Sequence, residues 1–170
     1  KYRLTYNQVA NKENDEIIKN DSELLNMLTI AYELSDIIGN NKYQEGYIDF
    51  EIEEPVIELD KTTGNVIAIK KRERLSSEIL IENFMVFANE VVSKTIADLK
   101  VPSIYRIHEC PDVEKVQNLN LFISSILPQE HYQLKQSNNP RDFQKFVNQI
   151  KEKRFDNLVK MFLLKTIQKA

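Results

Sequence analysis

The chain has 170 residues, of which 42% are hydrophobic and 29% are charged, with a net charge of −3. These values predict an ordinary globular domain, and they exclude recognition of nucleic acid by bulk positive charge, so a basic groove would have to be local. The single cysteine, Cys110, excludes an internal disulfide and fits a reducing, cytoplasmic location, and no run of about 18 apolar residues predicts a membrane span.

Two helices are predicted before residue 40. Thr5 and Gln8 have the spacing of a capping box, which predicts a short helix within residues 1–10. Residues 11–20 are polar and are predicted to form a loop. An amphipathic pattern then predicts a helix over Ser22–Ile38, with Gly39 as its C-terminal cap and a polar link to residue 46.

The hydrophobic period changes to two between residues 47 and 69. Alternation over residues 47–52, 56–59 and 66–69 predicts two or three strands, with a hairpin turn around Gly64. Pro55 is expected at a sheet edge or a strand start. The basic run over residues 70–72, together with Arg74, is typical of a solvated face.

The longest helical pattern covers Arg74 to Lys100. Its apolar residues recur at steps of three and four and occupy much of the circumference, which predicts a helix that lies inside a domain. Ser76 is expected to cap its start. Glu82 is a polar exception that shares a stripe with Asn89, two turns later. This stripe either carries a polar edge to solvent or faces a bound ligand.

The C-terminal third adds a strand and three helices to the prediction. Pro102 should end the long helix, and residues 104–108 should form a short strand. Helices are predicted from Pro111 and Asp112 to about Leu127, over residues 141–150, and over residues 157–170. The predicted class is therefore α+β, helix-rich, with a long central helix and a small antiparallel sheet.

The residues alone show no catalytic or metal-binding motif. The sequence has no Gly-rich phosphate loop, no His or Cys pair at zinc-site spacing, and no convincing carboxylate cluster for divalent ions. His108 is interpreted as a packed, hydrogen-bonded histidine, and a nucleophile pair of His108 and Cys110 is disfavoured. From the residues alone, the function stays open.

Five stretches in order resemble the catalytic RNB domain of the ribonuclease II / ribonuclease R family. They are Arg3-Leu4-Thr5-Tyr6; Gly46-Tyr47-Ile48-Asp49-Phe50; Arg72-Glu73-Arg74 with Leu80–Met85 and Ala88-Asn89-Glu90; Tyr105–Glu109 with Pro111; and Met161–Lys165. The third and fourth stretches are the most specific, and the chain is more similar to ribonuclease R than to ribonuclease II.

The resemblance implies a processive hydrolase that degrades single-stranded RNA from 3′ to 5′ and releases nucleoside 5′-monophosphates. Two divalent ions, typically Mg²⁺, act in the full-length enzymes of this family. The family's metal-binding aspartates lie upstream of the first stretch and its catalytic arginine lies downstream of the last. Residues 1–170 are therefore expected to be an internal fragment of a single catalytic domain, without catalytic or metal-binding residues and inactive alone.

The resemblance assigns three residues to RNA binding. Phe50 matches an aromatic residue that stacks on a base, Glu82 matches a glutamate near the terminal ribose, and Tyr6 matches a tyrosine in the same neighbourhood. Glu82 and Tyr6 are implicated in preferring RNA to DNA, for which the 2′-hydroxyl is the physical handle. Without the resemblance, Phe50 is interpreted as a core residue, Tyr6 as an interface aromatic and Glu82 as solvent-facing.

Two other classes of function stay open at this point. One is a stand-alone helical interaction domain that has the fold without the chemistry, and the other is a generic RNA-binding module, against which the net charge of −3 argues weakly. No membrane partner is expected. A fragment of a domain should expose apolar surface, so association of two copies is also expected.

Overall fold

The computed structural model describes residues 2–50, 54–105, 107, 109–129, 132–137, 139–151, 153 and 155–167. The chain forms two compact units. Unit 1 comprises Lys1–Asn41 and Glu53–Ser103, and unit 2 comprises Lys42–Ile52 and Ile104–Ala170. Among the described residues, no helix has the length and apolar character needed to cross a membrane. The assignment of residues 1–170 to a single catalytic domain stays a prediction.

The described residues form a helix-rich α+β structure with a small antiparallel sheet, which confirms the predicted class. The helices are α1 (Tyr6–Ala10), α2 (Glu16–Lys19), α3 (Ser22–Glu45), α4 (Ser76–Asp98), α5 (Val113–Ile126), α6 (Pro140–Ile150) and α7 (Asp156–Thr166). The strands are β1 (Pro55–Leu59) and β2 (Val66–Lys71), which pair antiparallel with Ile57 opposite Ile69.

The first turns of unit 1 are set by side-chain caps. The N–H of Gln8 donates to Thr5 Oγ1 at 3.3 Å and the N–H of Thr5 donates to Gln8 Oε1 at 2.9 Å, so the predicted capping box is confirmed. The predicted loop over residues 11–20 is wrong in part. Asp15 accepts from the N–H groups of Ile17 and Ile18 and starts α2, and the fully buried Ile18 anchors that turn.

The hairpin turn between β1 and β2 lies at the predicted position. Gly64 has φ +71°, in the left-handed region that favours glycine. The N–H groups of Thr63 and Thr62 donate to Asp60 Oδ1 at 2.7 and 2.8 Å, and these bonds hold the pKa of Asp60 below its usual value. The turn therefore depends on one glycine and one carboxylate.

Helix α3 continues beyond its predicted end at Ile38. Gly39 lies inside the helix and is not a cap. A Cβ added there would lie 3.2 Å from Asn83 Nδ2, so the missing side chain at Gly39 lets α4 approach closely. Gly39 therefore marks a close contact between α3 and α4 and does not mark the end of α3.

The end of α3 lies at Gly46, where φ is +104°. The N–H of Tyr47 donates to the carbonyl of Lys42 at 3.0 Å, and the N–H of Gly46 donates to the carbonyl of Tyr43 at 3.1 Å. These two bonds form a Schellman motif, which satisfies the last helical carbonyls. This turn ends α3 and begins the segment that leads to Phe50.

Two predicted strands are wrong among the described residues. Residues 47–50 have no regular structure, and residues 51–53 lie outside the described residues. Residues 104, 105 and 107 also form no strand, and the neighbouring Arg106 and His108 are outside the described residues. In the described part of the chain, pairing joins β1 only to β2. Alternating apolar and polar residues show that a segment could form a strand. The strand forms only where a neighbouring strand supplies partners for its backbone hydrogen bonds.

Helix α4 is less buried than its pattern predicted. Its buried residues, Ser77 and Leu80, lie in the first two turns. Apolar residues further along the helix are about half exposed, namely Met85, Phe87, Val91 and Val92. The long helix is present as predicted, but the prediction that it is buried around much of its circumference is wrong for the described chain. Apolar periodicity shows which faces can be buried but does not supply the layer that covers them.

Unit 2 holds the larger core. Helices α5, α6 and α7 lie close to their predicted bounds and bury one cluster, formed by Val116, Leu119, Ile123, Leu134, Phe143, Phe146, Val147, Ile150, Val159 and Leu163. The rings of Phe122 and Phe162 stack beside it at 4.2 Å between centroids. The side chain of Asn120 accepts from the N–H of Leu134 at 2.8 Å and donates to its carbonyl at 2.9 Å, which fixes the loop before α6.

A partly buried polar contact joins α3 to α4 in unit 1. Asn83 Nδ2 donates to the carbonyl of Ser35 at 3.2 Å and to its Oγ at 2.9 Å. Ser35 is buried, so a polar atom left without its partner there would be costly. The contact therefore fixes which face of α4 is turned toward α3.

We expect Asn83→Ala to destabilise the chain by about 1–3 kcal/mol, because it removes the donor to a buried hydroxyl. Urea unfolding would measure this free energy. Asn89→Ala is the matched control: Asn89 is exposed on the same helix, and its loss should change the free energy by no more than about 0.5 kcal/mol. Equal stabilities of the two variants would contradict the role of the contact.

The two left-handed glycines offer a second comparison. At Gly46 a Cβ would lie 2.8 Å from the N atom of Arg141, whereas at Gly64 it would meet nothing within 4 Å. Gly64→Ala should cost about 1 kcal/mol through its backbone conformation alone. Gly46→Ala should cost at least about twice as much, because steric overlap adds to that strain. Thermal melts of both variants test this, and a smaller loss at Gly46 would be inconsistent with the close approach.

Candidate functional site

The three residues assigned by resemblance lie in different units. Tyr6 and Glu82 belong to unit 1, and Phe50 belongs to unit 2. The contacts around each residue therefore build up two local arrangements, one at the start of α4 and one in the segment that follows α3.

Tyr6 is the first residue of α1, and its backbone is attached to α4. The Oγ of the buried Ser77 donates to the carbonyl of Tyr6 at 2.7 Å. The residue as a whole is half exposed. The arrangement fixes the backbone of Tyr6 against the first turn of α4 while leaving much of the residue at the surface.

The start of α4 is capped differently from the prediction. Leu75 occupies the N-cap position, and Ser76 is the first helical residue. The carboxylate of Glu78 accepts from the N–H of Leu75 at 3.0 Å, which is half of a capping box. A leucine cannot cap with its side chain, so the carboxylate three residues later satisfies this backbone group instead.

Glu82 lies in the second turn of α4 and forms an ion pair with Arg74. Arg74 Nη2 donates to Glu82 Oε2 at 2.5 Å, and the two side chains are 37% and 35% exposed. Glu82 is therefore neither buried in the core nor freely solvated. Its carboxylate is held at the surface of unit 1 by a residue from the segment that precedes the helix.

A second arginine attaches the hairpin to the same helix. Arg72 donates to Glu54 at 2.8 Å and to Glu78 at 2.6 Å, and its N–H donates to the carbonyl of Glu54 at 2.9 Å. The hydrogen bond with Glu54, followed by the charge of Glu78, raises the pKa of Arg72 above its usual value. This bridge holds β1, β2 and the first turn of α4 together.

The sequence pattern did not indicate these pairs, because a basic run is typical of a solvated face. The run is indeed at the surface, but Lys70 pairs with Glu58 at 2.7 Å and the two arginines pair as described. Glu78 and Glu82 lie six and eight residues after their arginines, and neither spacing is the three or four residues that brings side chains together on one helix. The local pattern therefore gave no signal for these pairs.

Tyr32 also has partners that the sequence did not indicate. Its hydroxyl lies 3.2 Å from Ser76 Oγ, and Lys12 Nζ lies 4.9 Å from its ring centroid. Lys12 also donates to Thr29 Oγ1 at 3.1 Å. The predicted inner face of α3 is thus tied to α4 and to the residues after α1 by polar contacts as well as by apolar packing.

Phe50 lies in a segment that α6 holds in place. Gln144 Nε2 donates to the carbonyls of Tyr43 and Tyr47 at 2.7 and 2.9 Å. Phe50 is half-buried and packs against the buried cluster of unit 2. One part of the residue thus contributes to the core, and the remainder is accessible.

A cleft of about 260 Å³ adjoins this segment in unit 2. Lys160, which is only 4% exposed, lines the cleft and has its Nζ 3.5 Å from Asp156 Oδ2. Lys151 and Asp49 also line the cleft. The lining thus holds two lysines and one aspartate, and Asp156, which lies outside the lining, pairs with one of these lysines.

The described residues do not fit a divalent metal ion. No group of three or more His, Cys, Asp or Glu side chains in the described part of the chain could hold one. The Mg²⁺ implied by the resemblance therefore has no ligand set among these residues.

Comparisons with known proteins agree over the whole chain. The model of the RNB domain family matches residues 1–170. Ribonuclease R of Mycoplasmopsis pulmonis is 43% identical over 172 residues, which cover 100% of this chain and 23% of the relative. Ribonuclease R of Aquifex aeolicus is 32% identical over 177 residues, which cover 100% of this chain and 24% of the relative. The chain thus spans about a quarter of the length of these relatives.

Solved structures show the same similarity. RNase R of Mycoplasma genitalium in complex with ribose methylated single-stranded RNA matches with a TM-score of 0.82 and 27% identity, over 99% of this chain and 26% of that protein. The same enzyme in complex with double-stranded RNA matches with a TM-score of 0.77 over 94% of this chain and 28% of that protein. The resemblance inferred from the sequence is confirmed, whereas the roles of Phe50, Glu82 and Tyr6 stay predictions.

Proposed function

Because the chain belongs to the RNB domain family, we propose that it forms part of an exoribonuclease that degrades single-stranded RNA from the 3′ end. The observation that carries this proposal is the structural match over 99% of the chain to an RNase R in complex with single-stranded RNA. The 43% identity to a ribonuclease R supports the same class of enzyme.

In this proposal the complete enzyme hydrolyses RNA processively to nucleoside 5′-monophosphates in the cytoplasm. Two divalent ions, typically Mg²⁺, would activate water and stabilise charge on the phosphate. The resemblance assigns their aspartate ligands to sequence upstream of Arg3, so the 170 residues would supply substrate contacts and no metal ligands. The chain by itself is proposed to be inactive.

The residues of the chain would position the RNA. The accessible part of Phe50 would stack on a base, which is a sequence-tolerant contact. The carboxylate of Glu82 would accept a hydrogen bond from the 2′-hydroxyl of the terminal ribose, with Tyr6 nearby, and this bond would favour RNA over DNA. The surface exposure of Glu82 and Tyr6 supports these roles, because both residues are accessible to a ligand in unit 1.

A second candidate function is an interaction domain without catalysis. The observation that favours it is an exposed apolar stripe on α3 with the three- and four-residue spacing of a helix–helix seam, formed by Met27, Ile30, Leu34 and Ile37. We propose that two copies of the 170-residue chain associate through this stripe.

The exoribonuclease proposal predicts different behaviour for two polypeptides. The complete polypeptide that contains this chain should release 5′-mononucleotides from the 3′ end of single-stranded RNA, and EDTA should abolish this activity. The 170-residue chain alone should leave the RNA intact. End-labelled RNA followed on a sequencing gel measures both activities.

Two results would decide against the proposal. Absence of nuclease activity in the complete polypeptide with Mg²⁺ would overturn the enzyme class. Degradation by the 170-residue chain, abolished by EDTA and by Glu82→Ala but not by Glu90→Ala, would overturn the view that the chain lacks its own catalytic centre. Glu90 is the matched control because it is an exposed glutamate on the same helix.

The association proposal predicts a concentration-dependent sedimentation coefficient for the 170-residue chain. Replacing Ile30 and Leu34 by lysine should give a monomer, because two ammonium groups would have to be desolvated in the seam. The control variant carries lysine at the exposed Glu33 and Asp36, beside the stripe, and should still associate. A sedimentation coefficient of the unmodified chain that is monomeric at every concentration would rule out the seam.

A further inference from the structure

The ion pair between Arg74 and Glu82 is a tertiary contact and not a product of helix geometry. Arg74 lies before α4, and Glu82 lies in its second turn, eight residues later. Side chains that meet on one helix are three or four residues apart. Arg74 reaches Glu82 from the segment that precedes the helix, across the first turn of α4.

The backbone is fixed on both sides of this pair. Ahead of Arg74, Arg72 is bonded to Glu54 and Glu78 at 2.8 and 2.6 Å. After Glu82, the adjacent Asn83 is bonded to Ser35 across the contact between α3 and α4. With the backbone fixed, the direction of the Glu82 carboxylate depends on its side-chain torsions, and the bond from Arg74 contributes to restricting them.

The exposure of the pair indicates what this bond does. At 37% and 35% exposure the two charges are screened by water, and such pairs contribute little to folding stability. An arginine is nevertheless well suited to orienting a carboxylate, because its planar guanidinium donates in a fixed direction. The bond is therefore better suited to fixing a geometry than to holding the fold together.

We propose that Arg74 is a positioning residue that holds the Glu82 carboxylate in the orientation that receives the ribose 2′-hydroxyl. This inference rests on the function proposed above for Glu82. A carboxylate offers about four acceptor sites, so it accepts from Arg74 and from a ribose hydroxyl at the same time. Arg74 thereby acts on the choice between RNA and DNA through Glu82.

Arg74 has a second effect, which is electrostatic. A carboxylate repels the phosphodiester groups of an approaching RNA, and the positive charge of a guanidinium 2.5 Å away offsets this repulsion. Arg74 therefore allows a carboxylate to lie beside a polyanion. Orientation requires the guanidinium fork, but neutralisation requires only a positive charge, so the two effects are separable by Arg74→Lys.

The test uses the complete polypeptide that contains this chain. Rates and KM are measured on one RNA and on the same RNA with a single 2′-deoxy nucleotide at its 3′ end. Arg74→Met should lower the RNA-to-deoxy rate ratio by about tenfold, in the range expected for a lost charge-assisted hydrogen bond, and should raise KM. Arg74→Lys should restore KM but not the ratio. In a Glu82→Gln background, Arg74→Met should leave the ratio unchanged.

The control is Lys70→Met, which removes a nearby positive charge that pairs with Glu58 instead of Glu82. Lys70→Met should leave the RNA-to-deoxy rate ratio unchanged. Circular dichroism of each variant reports whether the fold is retained. If the ratio falls in Glu82→Gln but is unchanged in Arg74→Met and Arg74→Lys, the role of Arg74 is overturned and the function proposed for Glu82 is retained. An unchanged ratio in Glu82→Gln overturns the function proposed for Glu82 and the inference with it. An equal loss in Lys70→Met shows a general charge effect and also overturns the inference.

Discussion

The contact of Asn83 with Ser35 is the constraint from which the geometry of unit 1 follows. The absence of a side chain at Gly39 allows this approach, since a Cβ there would lie 3.2 Å from the amide nitrogen of Asn83. Once Asn83 faces α3, the rotation of α4 about its axis is set, and Glu82 points about 100° away from that direction. This rotation leaves Glu82 at the edge of the packed face, where Arg74 reaches it. A partly buried amide therefore helps to determine the orientation of a half-exposed carboxylate.

Charge in unit 1 is organised locally, and the net value of −3 conceals this organisation. The basic run that precedes α4 is matched by glutamates, so that Arg72 joins the hairpin to the helix and Arg74 holds Glu82. A paired basic surface offers less long-range attraction to RNA than its lysines and arginines would alone. RNA recognition by this chain would therefore depend more on specific side-chain contacts than on long-range attraction by positive charge. Such contacts are a carboxylate for a 2′-hydroxyl and an aromatic ring for a base.

In unit 2 the backbone between α3 and Phe50 has a comparable constraint. The left-handed Gly46 ends α3 through a Schellman motif, and Gln144 of α6 holds the carbonyls on either side of that turn. Phe50 is thereby brought onto the core of unit 2 with part of its surface accessible. The alternative interpretations of Phe50, as a core residue and as a stacking platform, describe two sides of the same half-buried residue.

The capping box of α1, the hairpin at Gly64 and helices α5 to α7 could be predicted from the sequence, because each depends on residues close together in the chain. The family and the helix-rich α+β class could also be predicted, because five stretches that resemble the family occur in order along the chain. Only the tertiary structure decided that Gly39 serves a helix contact while Gly46 ends α3, since both glycines give the same local signal. It also decided that residues 47–50 form no strand and that much of α4 is exposed, because periodicity does not reveal whether a partner is present. The pairing of Arg74 with Glu82 belongs to the same group, because a spacing of eight residues is not that of neighbours on one helix, so the sequence pattern does not indicate the contact.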